Sequence, residues 1–172
     1  MEDFDSSAQL KEKLLIAGIE EITNHGVSGF SLRRVAAACG ASCAAPYKHF
    51  KNKDDFIEQI IAYVDKRWAL LAAQISKAYD DDRQCIAELC VANVRFKIAN
   101  PLYGTGKSSG DKVIYNEVSS FCSSHNLPGA DARQYAVSAL VTGTAALIES
   151  GRLENNACTL DMLRQKILGE LC

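Results

Sequence analysis

The side chains best suited to chemistry gather between Ser31 and Lys53, in the run SLRRVAAACGASCAAPYKHFKNK. Its ionised residues are Arg33, Arg34, Lys48, Lys51 and Lys53, with no Asp or Glu among them. Tyr47 and His49 stand between the cations, and their polar tips can donate to phosphate oxygens. Such a cluster displaces counterions from a nucleic-acid backbone, a source of affinity that does not depend on base sequence. The whole chain is slightly acidic, net −2 with pI ≈ 5.9, so the excess of cations is local. Other reactive residue types are scattered. The histidines are His25, His49 and His125, and none shares a motif with a nucleophile. Seven cysteines, an odd number, show no CxxC spacing. Cys39 and Cys43 with His49 lack the paired spacing of a zinc site, and Cys43 is read as a small groove-facing residue with redox sensitivity left open. Catalytic residues, a metal site and a cofactor are therefore not predicted.

The elements that would carry these residues are legible from caps and periodicity. Ser31 can cap a helix whose apolar face is Leu32, Val35, Ala36 and Cys39. Gly40 follows, at a position where helices end in a left-handed residue. Ser42 can cap a second helix two residues later. Two helices joined this tightly form a helix-turn-helix. The second begins with the small residues Cys43, Ala44 and Ala45, slim enough for a major groove about 12 Å wide. Pro46 sits at the edge of its first turn and biases Ala45 away from helical angles, so this third helix, about 42–49, is predicted to be short and distorted at its start.

The run from Leu14 to Phe56 resembles the DNA-binding domain of the TetR (tetracycline-repressor) family. The matching features are Gly26 closing an apolar first helix, the Ser31-capped helix with Val35-Ala36, the glycine turn, the Tyr47-x-His49-Phe50 exit and Lys53. The wording Ala44-Ala45-Pro46-Tyr47 resembles one subset of that family. The resemblance implies that Cys43, Ala44 and Ala45 meet base edges, that Tyr47, His49 and Lys53 meet phosphates, and that Lys48 does either. Arg33 reaches a base edge or a phosphate, and Ser31 and Ser42 complete the DNA-binding set at the helix starts.

The rest of the chain reads as all-α. Apolar residues make up 48% of it, and strand signals are scarce. A first helix over about 8–25 buries Leu15, Gly18, Ile19 and Ile22. A long fourth helix opens at Lys53-Asp54-Asp55 and runs to about Tyr79. The fifth, after Asp80-Asp81-Asp82, has apolar residues on two sides and suits the centre of its domain; Asn93 lies on one of these stripes. The loop 102–110 carries glycines and Lys107-Ser108 without the spacing of a phosphate loop. Further helices follow over about 111–125, 131–150 and 159–171. On the helix over about 131–150, Val137, Val141, Thr144 and Ile148 suit the protomer's own core, whereas Ala136, Ala139, Gly143 and Ala146 form a small stripe that admits a neighbouring helix.

The resemblance implies a helix-turn-helix domain over 1–53 and a ligand-binding and dimerisation domain over 54–172, linked by the fourth helix. It places a homodimer interface on the last two helices, here Ala136, Ala139, Gly143, Ala146, Leu160, Leu163 and Ile167. Tyr63, Trp68, Asn93, Phe96, Tyr103 and Tyr115 are expected to line the pocket of a small-molecule effector. The expected function is a ligand-responsive transcriptional regulator, a repressor, binding a pseudo-palindromic double-stranded DNA operator as a dimer. The amino terminus has no signal-peptide pattern and no apolar run is long enough to span a bilayer, so the expected location is cytoplasmic, without a membrane partner. The alternative is a helical small-molecule-binding protein or enzyme without DNA binding.

Overall fold

The computed structural model describes residues 2–103 and 111–172, and the described residues form helices and turns without strand. Helix α1 spans Glu2–Gly29, α2 Leu32–Ala38, α3 Lys53–Ala78, α4 Asp82–Ala99, α5 Asp111–Ser124, α6 Ala130–Glu149 and α7 Ala157–Glu170, with a 3-10 turn at Pro46–Lys48 between α2 and α3. The glycine-rich residues 104–110 lie outside the described residues. The chain divides into two compact units. The first takes the described residues of Met1–Val64 with Asn100–Leu102; the second takes those of Asp65–Ala99 and Tyr103–Cys172. Val64 and Asp65, where they part, are consecutive residues of α3.

In the first unit α1 is broken at Gly26, whose φ of 68° is left-handed. An L side chain is strained there, and the glycine lets the chain turn toward α2. The core of this unit is Leu14, Ile22, Phe30, Val35, Ala36, Phe50, Phe56 and Ile60. Phe56 anchors it, with ring centroids 5.5 Å from Phe30 and 4.2 Å from Phe50. Gly18 is where α1 and α3 approach closely: a Cβ there would lie 2.5 Å from Phe56 Cε1 and 2.7 Å from Ile60 Cδ1. Leu14, absent from the predicted stripe, is fully buried, while Ile19 is only half-buried. At the start of α3 the Asn52 side chain accepts from the Asp55 N–H (2.8 Å) and the Asp55 carboxylate accepts from the Lys51 N–H (2.7 Å). This reciprocal cap satisfies donors that the first turn cannot. The Lys51 N–H, then the Gln59 amide, hold Asp55 below the usual carboxylate range.

In the second unit α4 is the central element, as its two-sided apolar pattern predicts. Ile86, Leu89, Cys90, Val91, Asn93, Val94 and Phe96 are all buried, against α5, α6 and α7. Burial pushes the Cys90 thiol up, away from ionisation. Asp81 caps α4 by accepting from the Gln84 N–H at 3.0 Å. Charged side chains tie α7 to α4. Arg164 pairs with Glu88 at 2.5 Å, and Arg83 donates to the Leu168 carbonyl at 3.0 Å. No helix among the described residues is long and apolar enough to cross a membrane.

Candidate nucleic-acid interface

The helix-turn-helix stands on a buried carboxylate. Glu21 on α1 is only 8% exposed, a costly place for a charge unless it is hydrogen-bonded. It accepts from the Ser31 backbone N–H at 3.1 Å and from Arg34 Nε at 2.8 Å, with a further bond from Arg34 Nη2. Arg34, then its positive charge together with that of His25, outweigh desolvation and hold the Glu21 carboxyl below its ordinary range. Arg34 also donates to the Gly29 carbonyl. One arginine of the basic cluster is thus spent on fastening the start of α2 to α1. Arg33, its neighbour, is exposed. Ser31 caps α2 as predicted: its backbone is extended, and its hydroxyl accepts from the Arg34 N–H at 3.4 Å.

Gly40 turns the chain with φ 64°. Beyond it the predicted third helix over 42–49 is replaced by a succession of tight turns, each closed by a hydrogen bond to the carbonyl three residues back. Ala45 N–H donates to the Ser42 carbonyl (2.9 Å), Tyr47 N–H to Ala44 (3.2 Å), Lys48 N–H to Ala45 (3.2 Å) and His49 N–H to Pro46 (3.0 Å). Only Pro46–Lys48 is regular, as 3-10. Two expectations are corrected here. Ala45 has helical angles, φ −59° and ψ −42°, so the constraint from Pro46 is overridden by packing. Ala45 is also buried, at 8% exposure, together with Pro46, so it cannot meet a base edge. The cap residue of the 3-10 turn is Ala45 rather than Ser42.

Burial of Ala45 and Pro46 turns their neighbours outward. Ser42, Cys43, Ala44 and Lys48 are exposed, Tyr47 is 62% exposed, and His49 is half-buried. Lys53, at the first position of α3, holds its Nζ 5.7 Å from the centroid of the Phe30 ring, a cation–π placement that steadies the ammonium while leaving it half-exposed. The outward tip therefore offers small side chains flanked by a phenol and lysines.

Residues 14–60 match the sequence profile of bacterial regulatory proteins of the tetR family. Residues 14–60 are a TetR-family helix-turn-helix domain. The HTH-type transcriptional regulators Rv1816 of Mycobacterium tuberculosis (strain ATCC 25618 / H37Rv) and Mb1846 of Mycobacterium bovis are each 29% identical to this chain over 79 residues, 45% of this chain. The match spans about a third of the length of those relatives, 32%. Three solved structures share the fold. A putative fatty acid metabolism regulator of Clostridium perfringens aligns with TM-score 0.64 and 15% identity over 92% of this chain and 97% of its own. A protein of unknown function from Rhodococcus sp. RHA1 aligns with TM-score 0.68 and 22% identity over 93% and 94%. A TetR/AcrR-family transcriptional regulator from Thermobifida fusca aligns with TM-score 0.59 and 15% identity over 94% and 95%.

The residues expected to line an effector pocket are divided between the two units, Tyr63 in the first and the others in the second. Trp68, Phe96 and Tyr103 pack ring against ring, with centroids 5.0–5.9 Å apart, and Asn93 Nδ2 donates to the Tyr103 hydroxyl at 2.8 Å. All four are buried, and this is a closed core rather than a lined space. Asn93 Oδ1 is left without a hydrogen bond among the described residues. Tyr63 belongs to the first unit, where its hydroxyl donates to Glu12 at 3.1 Å. Tyr115 is 49% exposed. The Tyr115 ring makes no contact with this cluster among the described residues.

An open groove of about 390 Å³ lies elsewhere in the second unit, lined by Leu71, Ile75, Tyr79, Glu88, Val91, Ala92, Arg95 and Phe96. Of the six expected lining residues it includes only Phe96. Sequence periodicity missed the groove because it arises from a gap between two helices, not from a pattern within either.

The expected dimer surface is corrected in part. Leu160, Leu163 and Ile167 of α7 are 0–3% exposed within the chain's own core, where α7 packs on α4 and α6. They cannot also face a second copy. On α6 the bulky stripe Val137, Val141 and Thr144 is buried, and Ile148 half-buried. Of the small stripe, Ala139 and Ala146 are exposed, while Ala136 and Gly143 are half-buried. Space around Gly143 is open, with nothing within 4 Å of where a Cβ would stand.

Proposed function

We propose that this chain is a non-enzymatic transcriptional regulator, a repressor of the Ala-Ala-Pro-Tyr subset, that reads a pseudo-palindromic DNA operator as a homodimer in the cytoplasm. The observation that carries the reading is the outward tip formed by Ser42, Cys43, Ala44, Tyr47 and Lys48, in a stretch free of carboxylates and built on a TetR-family domain. Cys43 and Ala44 enter the major groove, where small apolar groups contact thymine methyls. Arg33 supplies the hydrogen-bonding base contact, and Tyr47, His49 and Lys53 take phosphates. With so few base-bonding side chains, specificity leans on DNA shape. DNA binding occupies residues 1–53, and residues 54–172 pair the copies and bind a small effector.

A second copy fits the exposed small face of α6, Ala139 and Ala146 with Gly143. Two copies place two tips about one DNA turn, or a multiple, apart (~34–36 Å). The effector acts by binding one arrangement of the dimer better than the other.

The test is a mobility shift with the upstream DNA of the chain's own gene at several salt concentrations. Tyr47→Ala and Lys53→Ala each weaken binding to all sequences and reduce the salt slope by about one contact. Arg33→Ala instead relaxes base preference. Unchanged slopes in both of the first two variants refute their assignment to phosphates.

A further inference from the structure

The groove between α3 and α4 has the chemistry of a site for one class of small molecule. Its floor is apolar, from Leu71 and Ile75 of α3 and Val91, Ala92 and Phe96 of α4. Its volume of about 390 Å³ falls in the ~300–1,000 Å³ range of small-molecule sites. The helices run antiparallel along it: Trp68 meets Phe96 at one end, with ring centroids 5.4 Å apart, and the link 79–81 joins them at the other. The lining residues from Leu71 to Tyr79 cover about 12 Å of α3 at ~1.5 Å per residue, room for an extended alkyl chain.

The two charges in the lining are not equivalent. Glu88 is already neutralised by Arg164, at 2.5 and 3.3 Å. Arg95, two turns further along α4 and beside the Phe96 end, is exposed and has no hydrogen-bond or ion-pair partner among the described residues. An open, largely apolar groove whose one free charge is a single guanidinium complements an apolar chain bearing one negative charge. A guanidinium also receives a carboxylate through two parallel hydrogen bonds.

We propose that this groove binds a single-chain fatty carboxylate, its tail along Leu71, Ile75 and Val91 and its head on Arg95. A dianionic phosphate head fits less well, because one guanidinium leaves half its charge uncompensated. The proposal gives the effector of the reading above its chemical class. It rests on that reading for the regulatory consequence but not for binding itself.

The experiment uses the full chain without DNA. Trp68 is the chain's one tryptophan and touches Phe96 of the groove wall, so its emission reports occupancy. Dodecanoate, titrated below its micelle-forming concentration, gives a saturable change in that emission. Dodecanol and dodecyl phosphate bind about tenfold more weakly or worse, the scale of one charge-assisted contact. Arg95→Gln brings dodecanoate down to the level of dodecanol and leaves dodecanol unchanged. Ala92→Phe, which fills the half-buried floor, removes both responses while its thermal unfolding stays cooperative. A response to dodecanoate that fails to saturate, equal affinity for all three probes, or indifference to both substitutions overturns the proposal. A DNA arm is then added: dodecanoate binding without any DNA shift by the ligand-free chain refutes the regulator reading and leaves the site standing.

Discussion

At the scale of single residues, Glu21 does for the helix-turn-helix what no apolar residue could. It receives the first N–H before α2 and the guanidinium of Arg34 at once, fixing both the position of α2 and its rotation. Removing it leaves a half-exposed arginine and an unpaired backbone donor. Glu21→Ala is expected to cost about 1–3 kcal/mol, read as a lower urea midpoint with an unchanged m-value. Acid acts on the same contact. The Glu21 carboxyl titrates in the folded chain below its ordinary 4.5, so the ionised form is favoured by folding. Its contribution is complete above about pH 4.5 and lost as pH falls through the lower folded value. The stability gap between the parent and Glu21→Gln therefore narrows on acidification from pH 7 to below pH 4. A gap independent of pH removes Glu21 as the anchor. The sequence contains the signal for this role: Glu21 follows Leu14 by seven residues and Gly18 by three, which puts a carboxylate on the face that α1 buries.

At the scale of elements, the helices were legible because their punctuation is local. Ser31, Gly40, Asp81, Asn100-Pro101 and Gly151 mark starts and stops close to where the structure has them, and α4 declares its central place by being apolar on two sides. The third helix was not legible in its final form. Pro46 argued for a distorted start, and the outcome is a 3-10 turn in which Ala45 keeps helical angles, because burying Ala45 and Pro46 against the domain outweighs the local steric bias. Tertiary packing also decided the α1–α3 crossing, through Gly18. Its missing Cβ is what lets Phe56 and Ile60 lie across α1. Gly18→Ala inserts a methyl 2.5 Å from Phe56 Cε1, and overpacking of this kind costs about 1–3 kcal/mol. The loss is measurable by thermal unfolding. A variant as stable as the parent means that the two aromatic and aliphatic side chains reorient freely, and that the crossing is not fixed at this point.

At the scale of the whole molecule, a single chain presents one tip, and a pseudo-palindrome needs two. Periodicity found the last two helices but not which side of each is free, since a stripe of leucines looks the same whether it meets its own core or a second copy. The structure assigns Leu160, Leu163 and Ile167 to the core. On the proposed reading the small face of α6 is the surface for pairing: space at Gly143 is open, and close approach of another helix there would offset the cost of a mid-helix glycine, about 1 kcal/mol against alanine. The two faces respond differently to substitution. Leu163→Ala empties a buried site and lowers stability by about 2–5 kcal/mol, whatever the oligomeric state. Ala139→Arg puts a long charged side chain on the exposed stripe. It is expected to yield a folded monomer by sedimentation equilibrium, with helical circular dichroism retained. That monomer binds a single half-site and loses the strong preference for two half-sites at fixed spacing, because the distance between tips is set only when two copies are joined. If Ala139→Arg remains dimeric and keeps that preference, pairing uses another surface and the geometry proposed for the operator complex fails with it.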